Sequence, residues 1–222
     1  MKRKVQKMAA VLLVFVFVLS MTGCGEKFDA TGFVKAELDL LTKHDVDQYV
    51  ETTGVKKDEA EKIYTEAIES MDISTELLGE EVLPEEIYTA YEEWFLNVLA
   101  KTKYTVLDAK ESDGEYIVTV EIEPLKAFEG MEEKVTAATT AYMEEVYQTV
   151  LEGGAAPSEE QMNIDMYNLM LDVFNEILET ATYSEKVSVD TRIIKNSNGT
   201  YEIDEATFEE VGAKLIDISE LQ

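Results

Sequence analysis

The sequence has few of the residues on which enzyme chemistry most often depends. Its 222 residues include one cysteine, Cys24, and one histidine, His44. A single imidazole cannot build a His-rich zinc site, and it makes a Ser-His-Asp triad a poor interpretation. His44 stands beside Asp45 in a polar stretch that is typical of the protein surface. Glycine-rich phosphate loops, G-x-S-x-G elbows and HExxH segments are also missing. We therefore expect no catalytic residue, no metal and no cofactor.

Positive charge is scarce as well, with 19 Lys and Arg against 47 Asp and Glu. Four of the basic residues lie among the first 23, so the remainder has a formal charge of 15 − 47 = −32. Phosphate binding needs clustered Lys and Arg, so nucleic acid is excluded as a partner. An anionic membrane would also repel this chain. The acids are spread along the sequence, which favours a solvated surface, or alternatively one that attracts cations or a basic partner.

The first 23 residues have the order of a bacterial export signal. Basic residues precede an apolar run from Met8 to Met21, which leads into Thr22-Gly23-Cys24. A run of about 14 residues is too short to cross the hydrocarbon core, which needs about 20. Met-Thr-Gly-Cys resembles the lipobox of bacterial lipoproteins, which implies cleavage before Cys24 and acylation of its thiol. The alternative is an ordinary secretory signal with an incidental cysteine.

This interpretation divides the chain into three parts. It predicts a lipoprotein signal peptide over 1–23, a lipidated tether over 24–29 and a single extracytoplasmic domain over 30–222. Two acyl chains on Cys24 would hold the protein stably on the outer face of the cell membrane. With its thiol acylated, the chain has no cysteine left for a disulfide or a metal site.

Apolar residues at helical spacing predict several amphipathic helices. Asp58 is expected to cap one helix, Pro84 to open the next at its first position, and Ser158 with Gln161 to form a capping box. The expected helices cover 31–43, 58–71, 84–99, 127–151, 158–182 and 205–217. The segment 153–157, Gly-Gly-Ala-Ala-Pro, is the clearest loop.

Alternating residues predict two β-hairpins, at about 104–123 and 185–204. A turn at Asp113-Gly114 would pair residues whose numbers sum to 227. It would place on one face Leu107, Ala109, Tyr116, Val118, Val120 and Ile122. A second turn at Asn198-Gly199 sorts its strands less cleanly: Val187, Val189 and Ile193 fall opposite Ile194, Tyr201 and Ile203. A bulge or two-sided burial would explain that. The expected fold class is α+β, an antiparallel sheet of these hairpins packed against the helices.

The two hairpins share the pattern K-x-S-[DN]-G-x-Y, at 110–116 and 195–201. Two helices precede each copy, so one interpretation is a duplicated helix–helix–hairpin unit. The alternative is that tight turns select the same residues independently.

Together with the lipobox, the segments DVDQYVETTG at 45–54 and KDEAE at 57–61 carry a family resemblance. On these residues the chain resembles a family of small lipoproteins of Gram-positive Firmicutes whose domain has no known function. The resemblance implies a cell-surface protein and transfers no catalytic residue. Helices leading into hairpins, the second ending in NGTYEID, also resemble nuclear-transport-factor-2-like domains, as an analogy of fold alone.

The leading functional hypothesis is a non-enzymatic lipoprotein that binds a small ligand or an envelope protein. Aromatic residues with polar tips are the candidates to line a ligand pocket, namely Tyr88, Tyr91, Trp94, Tyr142 and Tyr167. Alternatively, the same residues fill the core. The second hypothesis is a carboxylate-dependent hydrolase acting on cell-wall glycan. It would need two facing acids in a cleft, one of them with a raised pKa.

Overall fold

The computed structural model describes residues 28–71, 78, 83–112, 114–197 and 199–221, so the signal peptide and Cys24 lie outside the described residues. The described chain confirms the α+β class. Its helices are α1 Ala30–Lys43, α2 Val46–Thr53, α3 Lys57–Ser70, α4 Glu85–Ala100, α5 Met131–Leu151, α6 Glu159–Thr180 and α7 Glu205–Leu215. Its strands are β1 Lys103–Val106, β2 Lys110–Ser112, β3 Glu115–Glu123, β4 Val187–Lys195 and β5 Tyr201–Ile203.

Side-chain caps set the start of several helices. Asp29 accepts a hydrogen bond from the N–H of Gly32 at 2.9 Å, and Ser158 accepts one from Gln161 N–H at 3.1 Å. Each bond satisfies a backbone donor that the first helical turn leaves without a partner. The expected cap at Asp58 is wrong, because α3 already begins at Lys57 and no side chain caps it. Pro84 precedes the first residue of α4 and does not occupy the first helical position.

The strands form one antiparallel sheet in the order β1-β3-β4-β5, with β2 also paired to β3. Near the first turn the predicted register is confirmed, since Lys110 pairs with Ile117. Beyond residues 107–109 the register shifts by one, and Val106 pairs with Val120. One extra residue on this strand turns Leu107 outward, to 38% exposure, so its predicted place on the buried face is wrong.

The second hairpin closes around a longer loop than the predicted two-residue turn. Ile193 pairs with Ile203, and Asn196 N–H donates to the Thr200 carbonyl at 2.8 Å. Gly199 has φ 88°, the left-handed conformation that this type of loop requires. The register brings Ile203 to the buried face with Ile193 and resolves the conflict in the alternation. Asp113 and Asn198 lie outside the described residues.

The main hydrophobic core lies between the inner face of the sheet and five helices, α1, α3, α4, α6 and α7. Its fully buried side chains include Phe33, Leu38, Trp94, Phe95, Leu99, Ile122, Leu125, Ile193 and Leu215. A second, smaller cluster joins α1, α2 and α3 and consists of Ala36, Leu40, Val46, Tyr49 and Ala60. None of the described helices is both long and apolar enough to cross a lipid bilayer.

Phe28, the first described residue, is packed into the domain and is 8% exposed. The Phe28 ring stacks on that of Tyr201 at 4.0 Å and lies within 5.7 Å of Phe33 and Tyr116. Phe28 and Asp29, which were predicted to end the tether, are therefore held by the core and by α1.

Candidate functional site

Three of the five predicted pocket residues meet between α4 and α6. The Tyr91 hydroxyl donates to the Tyr167 carbonyl at 2.8 Å, and the two rings meet edge to face. Tyr91 and Trp94 both contact the ring of Phe174, and each is 1% exposed. Trp94 Nε1 has no hydrogen-bond partner among the described residues. These contacts are those of core side chains, and burial raises the pKa of Tyr91.

The remaining two candidates lie apart from each other. Tyr88 is half-buried on α4, and its hydroxyl accepts a hydrogen bond from Leu83 N–H at 3.2 Å. Tyr142 lies on α5, and its hydroxyl donates to Asp165 of α6 at 2.8 Å. These contacts join three of the five residues, and a ligand pocket around all five stays a prediction.

Two buried acids on α1 are functional-group candidates that the sequence analysis missed. Glu37 is 1% exposed and accepts a hydrogen bond from the Tyr49 hydroxyl at 3.1 Å. Burial raises the pKa of Glu37 to about 8, and the bond from Tyr49 opposes that rise only in part. The signal was available, because Glu37 stands four residues after Phe33 and three before Leu40, on the buried stripe of the helix.

Asp39 is the other buried acid, and its charge is compensated. Lys35 and Lys43 both donate to its carboxylate, and the Tyr104 hydroxyl does so at 2.6 Å. Burial acts to raise the pKa of Asp39, but these hydrogen bonds outweigh it and hold the pKa below its usual value. The network joins α1 to β1, so the role of Asp39 is to stabilise the fold.

A pair of shallow depressions, of about 330 and 160 Å³, lies beside Asp217. Asp217 accepts hydrogen bonds from the Ser184 hydroxyl and from Ser219 N–H. Burial acts to raise its pKa, but these bonds outweigh it and keep the pKa below its usual value. Through these two hydrogen bonds the Asp217 carboxylate holds the C-terminal segment against the domain. Across the described ranges, no group of three or more His, Cys, Asp or Glu side chains could hold a metal ion.

Helix α5 carries four of the six large apolar side chains that are exposed in the described chain. The predicted helix 127–151 begins only at Met131, and α5 contains no buried residue along its 21 positions. Tyr147 and Leu151 are 59% and 62% exposed, and Met143 and Val150 are exposed too. On the N-terminal half of α6, Met162 and Met166 line an open groove of about 540 Å³ together with Glu159, Glu160 and Asn163.

The exposed apolar residues of α5 and the half-buried methionines of the α6 groove lie on the same side of the pair. Tyr142 faces Asp165 across the pair, and Lys134 faces Glu176, so the helices run antiparallel. Met143 and Met166 each follow a facing residue by one position, a rotation of about 100° around the helix axis. In antiparallel helices, equal rotations away from the facing positions lead to the same side. We call the resulting stripe, with Leu151 at its outer edge, the arm surface: Met143, Tyr147, Val150, Leu151, Met162 and Met166.

The stretch of sequence that contains the arm surface carries charge of one sign. Between Lys134 and Lys186 the sequence has no Lys, Arg or His. The same stretch has ten acids, namely Glu144, Glu145, Glu152, Glu159, Glu160, Asp165, Asp172, Glu176, Glu179 and Glu185. The arm surface is thus apolar in its middle and bordered by acids, Glu159 and Glu160 among them.

A solved structure shares this fold. The candidate lipoprotein ycdA of Bacillus subtilis matches with a TM-score of 0.58 and 19% sequence identity, over 85% of this chain. The chain spans 56% of the length of that structure. At this identity the likeness shows the fold alone, and it gives no support to the nuclear-transport-factor-2-like analogy. No protein-family model matches the chain, and no curated protein is similar to it.

Proposed function

We propose that this chain is a lipid-anchored protein of the outer face of the cell membrane, whose domain binds a polypeptide through the arm surface and performs no catalysis. The observation that carries the proposal is α5, a helix of 21 residues that buries no side chain yet presents large apolar ones. Contiguous apolar surface of this kind marks an interaction site in a folded protein. Tyrosine and methionine are also enriched at protein interfaces.

The anchor is supported by the Met-Thr-Gly-Cys sequence that precedes the domain. The fold neighbour, itself a candidate lipoprotein of a Firmicute, agrees with it. Phe28 is packed in the core, so four residue steps separate the proposed acyl group on Cys24 from the domain. Four steps span at most about 14 Å of extended chain, which keeps the domain close to the lipid headgroups.

The predicted pocket residues are far less exposed than the arm surface, and this difference favours a polypeptide over a small ligand. Tyr91 and Trp94 are 1% exposed and occupied by their own ring contacts, whereas Tyr147 is 59% exposed. The hydrolase hypothesis gains no support from Glu37, the acid with the raised pKa. At 1% exposure, and with the hydroxyl of Tyr49 as its hydrogen-bond partner, Glu37 is closed to a glycan.

The anchor is tested by Cys24→Ala in the native host. We expect the variant to lose fatty-acid labelling and to leave the membrane fraction, because no acyl chain can form on alanine. Ser20→Ala, which lies before the lipobox, is the matched control and should remain membrane-bound and labelled. Equal membrane retention of both variants without labelling would refute the anchor.

The binding role is tested by photocrosslinking on living cells. A photoreactive amino acid is incorporated in place of Tyr147, and in a control in place of Ile117, which is 41% exposed on the outer face of β3. We expect a discrete protein adduct from position 147 and none from position 117. The proposal fails if neither position yields an adduct, or if both yield the same one.

A further inference from the structure

Resting on the proposed function, we infer that the occupant of the arm surface is a basic amphipathic helix of the partner protein. Its apolar face would cover the side chains of the arm surface, and its Lys and Arg residues would lie against the acids that border them.

The secondary structure of the arm selects a helix as the occupant. The backbone donors and acceptors of α5 and α6 are used within the helices, so a strand could not add to them through main-chain bonds. A helix satisfies its own backbone and can pack side chains into the groove of the other two. Met143, Tyr147 and Val150 follow one another at successive turns, which matches the spacing of a helix laid along them.

The charge of the arm selects a basic partner. Ten acids lie between Lys134 and Lys186, the stretch itself contains no basic residue, and of these acids Glu176 is paired with Lys134. The ion pair between Lys134 and Glu176 is at the far end from the arm surface. A segment with several Lys or Arg would gain in association rate and specificity against such a surface. The acids also argue against the other occupants, because a second copy would bring its own Glu159 and Glu160 to the same acidic surface and an anionic bilayer would be repelled.

The methionines indicate how selective this binding is. Met143, Met162 and Met166 make up half of the six residues of the arm surface. Unbranched, flexible methionine side chains adapt to differently shaped partners. The arm surface therefore recognises amphipathicity and positive charge more than one particular sequence.

The test measures binding of labelled synthetic helices to the full mature chain carrying Cys24→Ala, so that no detergent is needed. The probe is a peptide of about 18 residues with Leu at helical spacing and Lys elsewhere. One control replaces every Lys by Glu, and the other scrambles the Lys/Leu peptide at constant composition. We expect fluorescence anisotropy to show saturable binding of the probe that weakens as salt rises, with binding of each control weaker by about tenfold or more.

Variants locate the binding. We expect Tyr147→Ser to weaken it by about tenfold, since it removes an apolar contact, and Glu159→Lys with Glu160→Lys to do the same through charge. Ile117→Ser is the matched control and should bind as the parent does. All these side chains are exposed, and the fluorescence of Trp94 reports whether the core is intact.

Three outcomes would overturn the inference. Equal binding of the scrambled peptide would show mere charge adsorption. If the Glu peptide bound as tightly as the Lys/Leu probe or more tightly, the surface would not select a basic partner. An equal loss in Tyr147→Ser and Ile117→Ser would place binding elsewhere. The photocrosslink at position 147 tests the proposed function independently of this inference. An adduct with a non-basic partner would support the proposed function and reject only the basic helix.

Discussion

Glu37→Gln should stabilise the protein at neutral pH, although it alters a buried hydrogen-bonded residue. Burial raises the pKa of Glu37 from 4.5 to about 8, so the folded protein holds a proton that the unfolded chain releases. The stability contributed by the neutral carboxyl is complete below pH 4.5 and is lost as pH rises toward 8. Glutamine has the shape of the protonated acid, and its Oε1 can still accept from the Tyr49 hydroxyl.

The magnitude follows from the size of the pKa shift. Each pH unit between the two pKa values costs the wild type about 1.4 kcal/mol of unfolding free energy. Between pH 5 and pH 7 the difference between Glu37→Gln and the wild type should therefore grow by about 3 kcal/mol in favour of the variant. Repulsion among the many acids also weakens the fold as pH rises, but it acts on both proteins and cancels in the difference.

Urea unfolding, followed by the fluorescence of the single tryptophan Trp94, measures this difference at several pH values. Glu86→Gln, an exposed position in the first turn of α4, is the matched control and should show no pH-dependent gain. Parallel stability curves for Glu37→Gln and the wild type would refute the reasoning, since they would mean that Glu37 titrates alike in the folded and unfolded states.

Two further substitutions test the contacts of the N-terminal part. Asp39→Asn should cost about 2 kcal/mol at pH 7, since hydrogen bonds to a charged group are lost. Because the pKa of Asp39 is lowered, that advantage should disappear as the pH falls below 3.8 and through the folded pKa; equal urea midpoints at pH 7 would contradict it. Phe28→Ala should cost about 3 kcal/mol through its lost contacts with the core and Tyr201. A calorimetric loss below about 1 kcal/mol would show that Phe28 is only loosely attached.

The helices could be predicted from sequence wherever one face meets the core. The stripe Ile87, Tyr91, Trp94, Phe95, Val98 and Leu99 is buried as expected, because helical spacing and burial report the same face. The first residue of a helix could be predicted less well than its buried face. Asp58 has the chemistry of a cap, but the backbone enters α3 before it reaches that residue.

The registers of the strands could not be predicted from the alternation of apolar and polar residues alone. A single extra residue between Val106 and Lys110 inverts the faces beyond it, and Thr31 of α1 contacts this bulge by accepting from Ala109 N–H. That contact links residues 78 positions apart. The loop at Gly199 likewise has one residue more than the turn that Asn-Gly suggests.

The candidate site was the least predictable part of the molecule. Apolar residues such as Met143 and Tyr147 at helical spacing look like core, and only the tertiary structure shows that α5 leaves them uncovered. Tyr91 and Trp94, with the same chemistry and spacing, do fill the core. Exposure is set by what packs against a helix, which the sequence of the helix itself does not state.

The packing of Phe28 restricts how the domain could be shed from a cell. In a chain anchored through Cys24, a protease can free an intact domain only by cutting between Cys24 and Phe28, because the bonds that follow belong to the core and to α1. A soluble protease would have to work against the headgroups to reach so short a stretch. With the proposed anchor at Cys24, release of this protein would fall to enzymes that are themselves at the membrane, or to cleavage of the lipid.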